Sequence, residues 1–173
     1  MALVLAVTGV AVQDRVMDRF HLAQLNIAEP RAPLESAVMV DFVANLDRIN
    51  ALAEASPGFV WRLVDDDGAN ATGLRPFGEQ TLVNLSVWTD LASLRAFVFE
   101  SAHAPILKRR REWFEPLGVA SMVLWWVPVG HRPSTAEAKE RLERLRRHGP
   151  SAHAFTFREP FEPQRSAEAV ARS

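Results

Sequence analysis

The sequence predicts an α+β domain of the ferredoxin-like kind: β-α-β-β-α-β, an antiparallel sheet, and one extra helix at the C-terminal end. Three observations predict it. Four short runs are patterned as strands. Helical 3.6-residue periodicity separates the first strand from the second and the third from the fourth. A further charged helical stretch follows the last strand.

In order along the chain, His21 to Ile27 (HLAQLNI) alternates and reads as the first strand. Pro30 and Pro33 then break the chain. Ser36 is placed to cap a helix whose apolar residues Met39, Phe42, Val43, Leu46 and Ile49 recur at helical spacing. Pro57-Gly58 stops it. Phe59 to Val64 (FVWRLV) is the second strand, and residues 65–78, rich in Asp and Gly, form a loop. Leu82 to Trp88 (LVNLSVW) is the third strand. Thr89 or Asp90 caps the next helix, with Leu91, Leu94, Phe97 and Val98 inward. Its continuation, Ser101 to Glu115, contains Pro105. Proline is tolerated in a first helical turn and not further in, so a break between Glu100 and Ala104 and a fresh helix start are expected. Met122 to Val127 (MVLWWV) is the fourth strand. Ser134 and Glu137 form a capping box for a helix ending at His148, with Gly149-Pro150 as the stop. Dense alternating charge suggests that this helix covers an edge or lies exposed.

The 173 residues suit one compact domain, placed at 20–161, with a flexible leader over 1–19 and a disordered tail over 162–173. Met1 to Val12 is almost wholly apolar but shorter than the roughly 20 residues of a membrane span. It also lacks the basic region of a secretory signal, and Met17 is an alternative start. With 20 Lys+Arg against 21 Asp+Glu, charge gives no argument for nucleic acid or an anionic membrane. The absence of cysteine excludes disulfides, thiolate metal sites and cysteine nucleophiles. A cytoplasmic location is expected, with neither membrane nor nucleic acid as partner.

Strand residues alternate between two sheet faces. One set is apolar: Ala23, Leu25 and Ile27; Phe59, Trp61 and Leu63; Val83, Leu85 and Val87. It should pack on the two helices. The other set is mixed and holds Gln24, Asn26, Arg62, Asn84, Ser86 and Trp88. The fourth strand is apolar on both sides, which implies burial on both. A ferredoxin-like sheet has helices on one face, so a second copy of the chain is the simplest cover for the other. The mixed residues would then line the interior of a two-chain barrel.

The stretches HLAQLNIA (21–28), INALAEASPGFVWRL (49–63), LVNLSVW (82–88), SAHAPILKRRREWFE (101–115), VLWWVPVGHRP (123–133) and AFTFREPF (154–161) closely resemble the bacterial domain-of-unknown-function family 3291. The resemblance implies membership of the dimeric α/β-barrel superfamily and hence a homodimer of facing ferredoxin-like units. That superfamily includes cofactor-independent monooxygenases, haem-degrading enzymes and non-catalytic stress-response barrels, and no family-wide reaction comes with it.

His103 shares a helical face with Leu107, Arg110 and Phe114. It reads either as a pocket residue suited to proton transfer or as a histidine satisfied by backbone at a helix start. His131 follows the fourth strand in PVGHRP, a place for pocket residues and equally for an ordinary turn. No two histidines have local metal-site spacing, and no metal is expected. The run Lys108 to Arg111 spans more than a helical turn and reads as a solvated face with one inward arginine. Asp65 to Asp67 read as a solvated turn rather than a calcium loop. Trp88, and one of Trp125 and Trp126, should face the mixed side, where an indole among amides would suit a flat organic ligand.

Three functions follow. In the first, a monooxygenase-like oxidoreductase acts on a hydrophobic or aromatic small molecule without a bound cofactor. His103 would be the base, Asn84 and Arg62 oxyanion stabilisers, and Gln24, Asn26, Ser86, Trp88, Arg110, Trp125, Trp126 and His131 substrate contacts. In the second, haem occupies the barrel on His103 or His131. In the third, the same pocket binds a small molecule without catalysis.

Overall fold

A computed structural model describes residues 20–65, 68 and 70–164. The expected leader (1–19), Asp66 and Asp67 of the acidic loop, and most of the expected tail (165–173) lie outside the described residues. The elements are β1 (Phe20–Pro30), α1 (Val40–Glu54), β2 (Phe59–Arg62), β3 (Leu82–Trp88), α2 (Leu91–Arg95) running into a π-helical turn (Ala96–Glu100), α3 (His103–Trp113), β4 (Phe114–Glu115), β5 (Met122–Pro128) and α4 (Thr135–His148). The expected β-α-β-β-α-β order with an appended helix is present. All strand pairs are antiparallel, in the order β2-β3-β1-β5, and the two-residue β4 pairs with the end of β1. This is the ferredoxin-like split βαβ arrangement.

Several local expectations hold for the stated reasons. Asp90 caps α2, its Oδ1 accepting the Ser93 N–H at 2.8 Å. Ser134 caps α4, accepting the Glu137 N–H at 3.1 Å, and Gly149 ends that helix at φ 74°. The chain leaves helical geometry at Ser101 and restarts at His103, so Pro105 falls in a first turn where no N–H is owed to the helix. Ser36, by contrast, does not cap α1. Residues 33–39 are spent in turns, and the helix starts at Val40 with no side-chain cap.

The face assignment is inverted relative to expectation. Paired residues share a face, so the registers give rows across the sheet. One face carries Phe59–Trp88–Leu22–Trp126, then Arg62–Ser86–Gln24–Leu124, then Asn84–Asn26–Met122. This mixed face lies under the chain's own helices: Leu22, Trp88 and Leu124 pack with Ala53 of α1, Leu94 of α2 and Phe97 of the π turn. The opposite face, Ala23, Leu25, Ile27, Val83, Leu85, Val87, Val123, Trp125 and Val127, is buried by α4 through Ala138, Leu142 and Leu145 and by Ala71, Leu74 and Phe77 of the long loop. The C-terminal helix therefore covers a sheet face rather than an edge. Its buried residues at i, i+4 and i+7 form an apolar stripe on an otherwise charged helix. An uncovered apolar face, the premise for a second copy, is not left among the described residues of this sheet.

β2 contains a second correction. The register shifts between Phe59 and Trp61, so Phe59 pairs with Trp88 while Trp61 pairs with Val87. A bulge places two residues opposite one and flips the alternation. Phe59 therefore joins the mixed face, and Trp61 and Leu63 stay on the apolar one.

After α4 the chain crosses the outer edge of β5. Phe155 exchanges two backbone hydrogen bonds with Leu124, at 2.8 and 2.9 Å. It is fully buried, and Phe157 and Phe161 follow it onto the mixed face. Pro163, inside the expected tail, is buried as well.

Candidate functional site

The mixed face has a closed end and an open end. At the closed end Trp88 is buried, stacked on Phe97 at 5.1 Å, and met edge-on by Phe59 at 5.4 Å. Phe97 in turn lies 4.9 Å from the His103 ring. Phe59, Trp88, Phe97 and His103 thus form one continuous aromatic series from edge strand to α3. The open end carries Asn26 and Asn84, cross-strand partners that are both exposed. It stays open because α1 is buried at Ala53 in its last turn, whereas Leu46 and Ile49 are half-buried and Val43 is exposed. The first half of α1 leans on α3 instead: Phe42 meets Trp113 at 6.0 Å and Phe114 at 5.0 Å, and Asp41 pairs with Arg109 at 2.8 Å.

A hydrogen-bond chain runs from the closed end one row toward the open one. The Trp88 indole Nε1–H donates to Ser86 Oγ at 3.0 Å, and Ser86 Oγ–H donates to Gln24 Oε1 at 2.9 Å. Such a chain is how a hydroxyl and an amide tolerate a place beneath helices. Arg62 lies in the same row and bonds Glu54 Oε1 at 2.8 Å.

His103 is the titratable group on this face with a shifted proton affinity. Burial pushes its pKa below the ordinary histidine value, against a smaller raising effect of the Val98 carbonyl. Nδ1 lies 3.1 Å from Val98 O, an acceptor, so Nδ1 carries the proton of the neutral ring. Nε2 is left as a lone-pair acceptor, without a partner among the described residues. Backbone thus satisfies one nitrogen of this residue, as the helix-start reading expects, and leaves Nε2 without a partner among the described residues.

A family model described as Domain of unknown function (DUF3291) matches residues 21–171. The chain belongs to that family. No functionally curated protein matches it. Among solved structures it is similar to NE2512, a protein of unknown function from Nitrosomonas europaea, with 18% identity over 68% of this chain and 96% of that one, at a TM-score of 0.41. It is also similar to SnoaB, a cofactor-independent oxygenase from Streptomyces nogalater, with 18% identity over 66% and 96% of the two chains, at a TM-score of 0.37. Overlaps this loose say nothing of activity.

In this DUF3291 chain the sheet face gathers Gln24, Asn26, Arg62, Asn84, Ser86, Trp88 and Trp126, and α3 adds His103. Trp126 sits at the far end of the first row, its Nε1–H bonded to Phe161 O at 2.6 Å and its ring beside Phe155.

Three expected contacts lie elsewhere. Trp125 points to the opposite face, fully buried under α4, its Nε1–H donating to Glu137 Oε1 at 2.9 Å. His131 lies off the mixed face as well: its Nε2 is 2.7 Å from Glu137 Oε2, at the start of α4. Arg110 is exposed and turns back to Leu107 O, while Arg109 lies 4.8 Å over Trp113. On the helical face shared by His103, Leu107 and Arg110, His103 meets Phe97 while Arg110 is exposed, and Trp113 rather than Phe114 is the buried anchor of α3.

Sequence reasoning missed Phe59 as a member of the aromatic series, because alternation hid it behind the bulge; Phe97 lies inward as expected, packed with Leu91, Leu94 and Val98, though periodicity alone gives no contact with His103. Among the described residues no cluster of three or more metal-ligating side chains occurs, and no helix is long and apolar enough to cross a membrane.

Proposed function

We propose that this chain binds a flat aromatic small molecule against the mixed sheet face and oxidises it with dioxygen, with His103 as the base. The observation that carries this is the state of His103: neutral, its tautomer set by Val98 O, its Nε2 unpartnered among the described residues, and its ring at the end of the series through Phe97 to Trp88. A base of this kind takes a proton most effectively when its pKa is low enough to keep it neutral at working pH.

In this reading Nε2 removes a proton from an acidic ring CH2 or phenol. The resulting carbanion passes electrons to dioxygen. For a CH2 centre the balance is CH2 + O2 → C=O + H2O, four electrons moving from carbon to oxygen. Asn84, exposed at the open end, is better placed than Arg62 to stabilise the developing oxyanion, because Arg62 is held by Glu54. Haem fits less well. His131 is committed to Glu137 and lies off this face, so of the two histidines His103 would be the one to hold a haem. The two-chain assembly implied by the family resemblance is kept in the proposal. A single-chain mass in native mass spectrometry would remove it.

The test is oxygen uptake and product mass under 18O2 with a panel of hydroxynaphthalenes and anthrones. One labelled oxygen should enter the product, and His103→Gln should slow turnover by about a hundredfold or more. Wild-type rates in that variant would sink the assignment. Binding without turnover would make the protein a non-catalytic binder, and a Soret band after expression with haem precursor would favour the haem reading.

A further inference from the structure

The hydrogen-bond chain on the sheet is directional, and its direction says what kind of ligand atom meets it. An indole N–H can donate and cannot accept. Trp88 Nε1 therefore makes Ser86 Oγ an acceptor at 3.0 Å. The hydroxyl has one proton, and it goes to Gln24 Oε1 at 2.9 Å. Gln24 thus spends its carbonyl oxygen inside the protein, and its amide NH2 has no partner among the described residues. The fixed part of the chain is shielded from water: Trp88 is 1% exposed and Ser86 7%. The amide that ends it is half-buried and looks onto the mixed face, one row from the exposed pair Asn26 and Asn84.

We infer that Gln24 is a specificity-determining donor: the protein selects planar ligands that carry an oxygen acceptor, a ring carbonyl or phenolate, above Gln24. This rests on the binding site proposed above and adds its polarity. Gln24 lies two residues along β1 from the Leu22–Trp88 row, about 7 Å. The arrangement is complementary to a hydroxy- or keto-substituted aromatic and mismatched to a bare hydrocarbon or an aromatic amine, because an amide NH2 offers no acceptor.

Two probes of equal charge and similar shape test this: anthraquinone-2-sulfonate, with two ring carbonyls, and anthracene-2-sulfonate, with none. Binding is read by quenching of tryptophan fluorescence in the full-length protein. The wild type should prefer the quinone by about tenfold, the worth of one good hydrogen bond. Gln24→Glu keeps the shape and the acceptor for Ser86 but presents a carboxylate oxygen to the ligand, so the preference should vanish or invert. Trp88→Phe releases the direction of the chain and should give an intermediate ratio. Equal affinity of the wild type for both probes overturns the donor assignment while leaving the site. A preference that survives in Gln24→Glu overturns it too. Failure of both probes to bind the wild type removes the site itself, and the inference with it.

Discussion

Gly58 is the position whose replacement tests the packing of the site most sharply. It adopts φ 79°, where an L side chain is strained, and its carbonyl accepts the Thr89 N–H at 2.7 Å. A Cβ built there would sit 2.5 Å from Ser93 Cβ and 2.6 Å from Thr89 Oγ1. Ser93 is also the residue whose N–H is capped by Asp90. Gly58→Ala therefore adds backbone strain of about 1–2 kcal/mol to an overpacking cost of about 1–3 kcal/mol, roughly 2–5 kcal/mol in all. Gly130 provides the control. It has φ 86° and nothing within 4 Å of where a methyl would stand, so Gly130→Ala should show the strain without the overlap. Urea unfolding followed by circular dichroism reads both, with an unchanged m-value as the sign that the two folded states are comparable. A Gly58→Ala loss below about 1 kcal/mol, or one equal to that of Gly130→Ala, would refute the close approach of the Gly58 turn to the α2 cap.

Two further outcomes are expected. His103 has a folded-state pKa lowered below its ordinary value, so the unfolded chain binds the proton more readily; its contribution to stability is present above about pH 6.5 and is lost as pH falls through the lowered value. Stability measured from pH 7.5 to 4.5 should therefore decline less steeply in His103→Gln, and an unchanged slope would show that the imidazole is not buried neutral. Glu137→Ala leaves the buried Trp125 indole N–H without its acceptor and should cost about 1–3 kcal/mol in urea unfolding, with Glu137→Gln milder because it can still accept; a neutral alanine variant would count against α4 being held by this bond.

Much of the fold is legible in the sequence because strand alternation and helix periodicity are local. LVNLSVW has the bounds that its alternation predicts, and the break before Pro105 follows from proline chemistry alone. Which face the crossover helices take is a different kind of question. The expectation that the polar face looks away from them rests on helices burying apolar residues. Here Ser86 sits under helices because it accepts from Trp88 and donates to Gln24 Oε1, and α1 leaves Asn26 and Asn84 open to solvent. Ala138, Leu142 and Leu145 carry the missing signal: a stripe that needs a sheet face of its own. The candidate residues on strands are gathered largely as expected, since pairing puts them in rows. Those taken from loops and charged runs, His131 and Arg110, are not, because nothing in a turn or a basic run fixes the direction of a side chain.

The central strand also sets the tempo at which the molecule can assemble. β1 is the first described element, yet Gln24 meets its Ser86 partner across 62 residues, and its other neighbour, β5, comes later still. Closing such long loops is entropically slow, and contacts of this range delay folding. A growing chain therefore displays the Ala23, Leu25 and Ile27 stripe before anything that can cover it has been made. α1 and α2 are available early for the mixed face, but the apolar face waits for α4 at residues 135–148. Premature arrest of synthesis before α4 would leave a nascent sheet with its apolar face wet, the kind of species on which chaperones act.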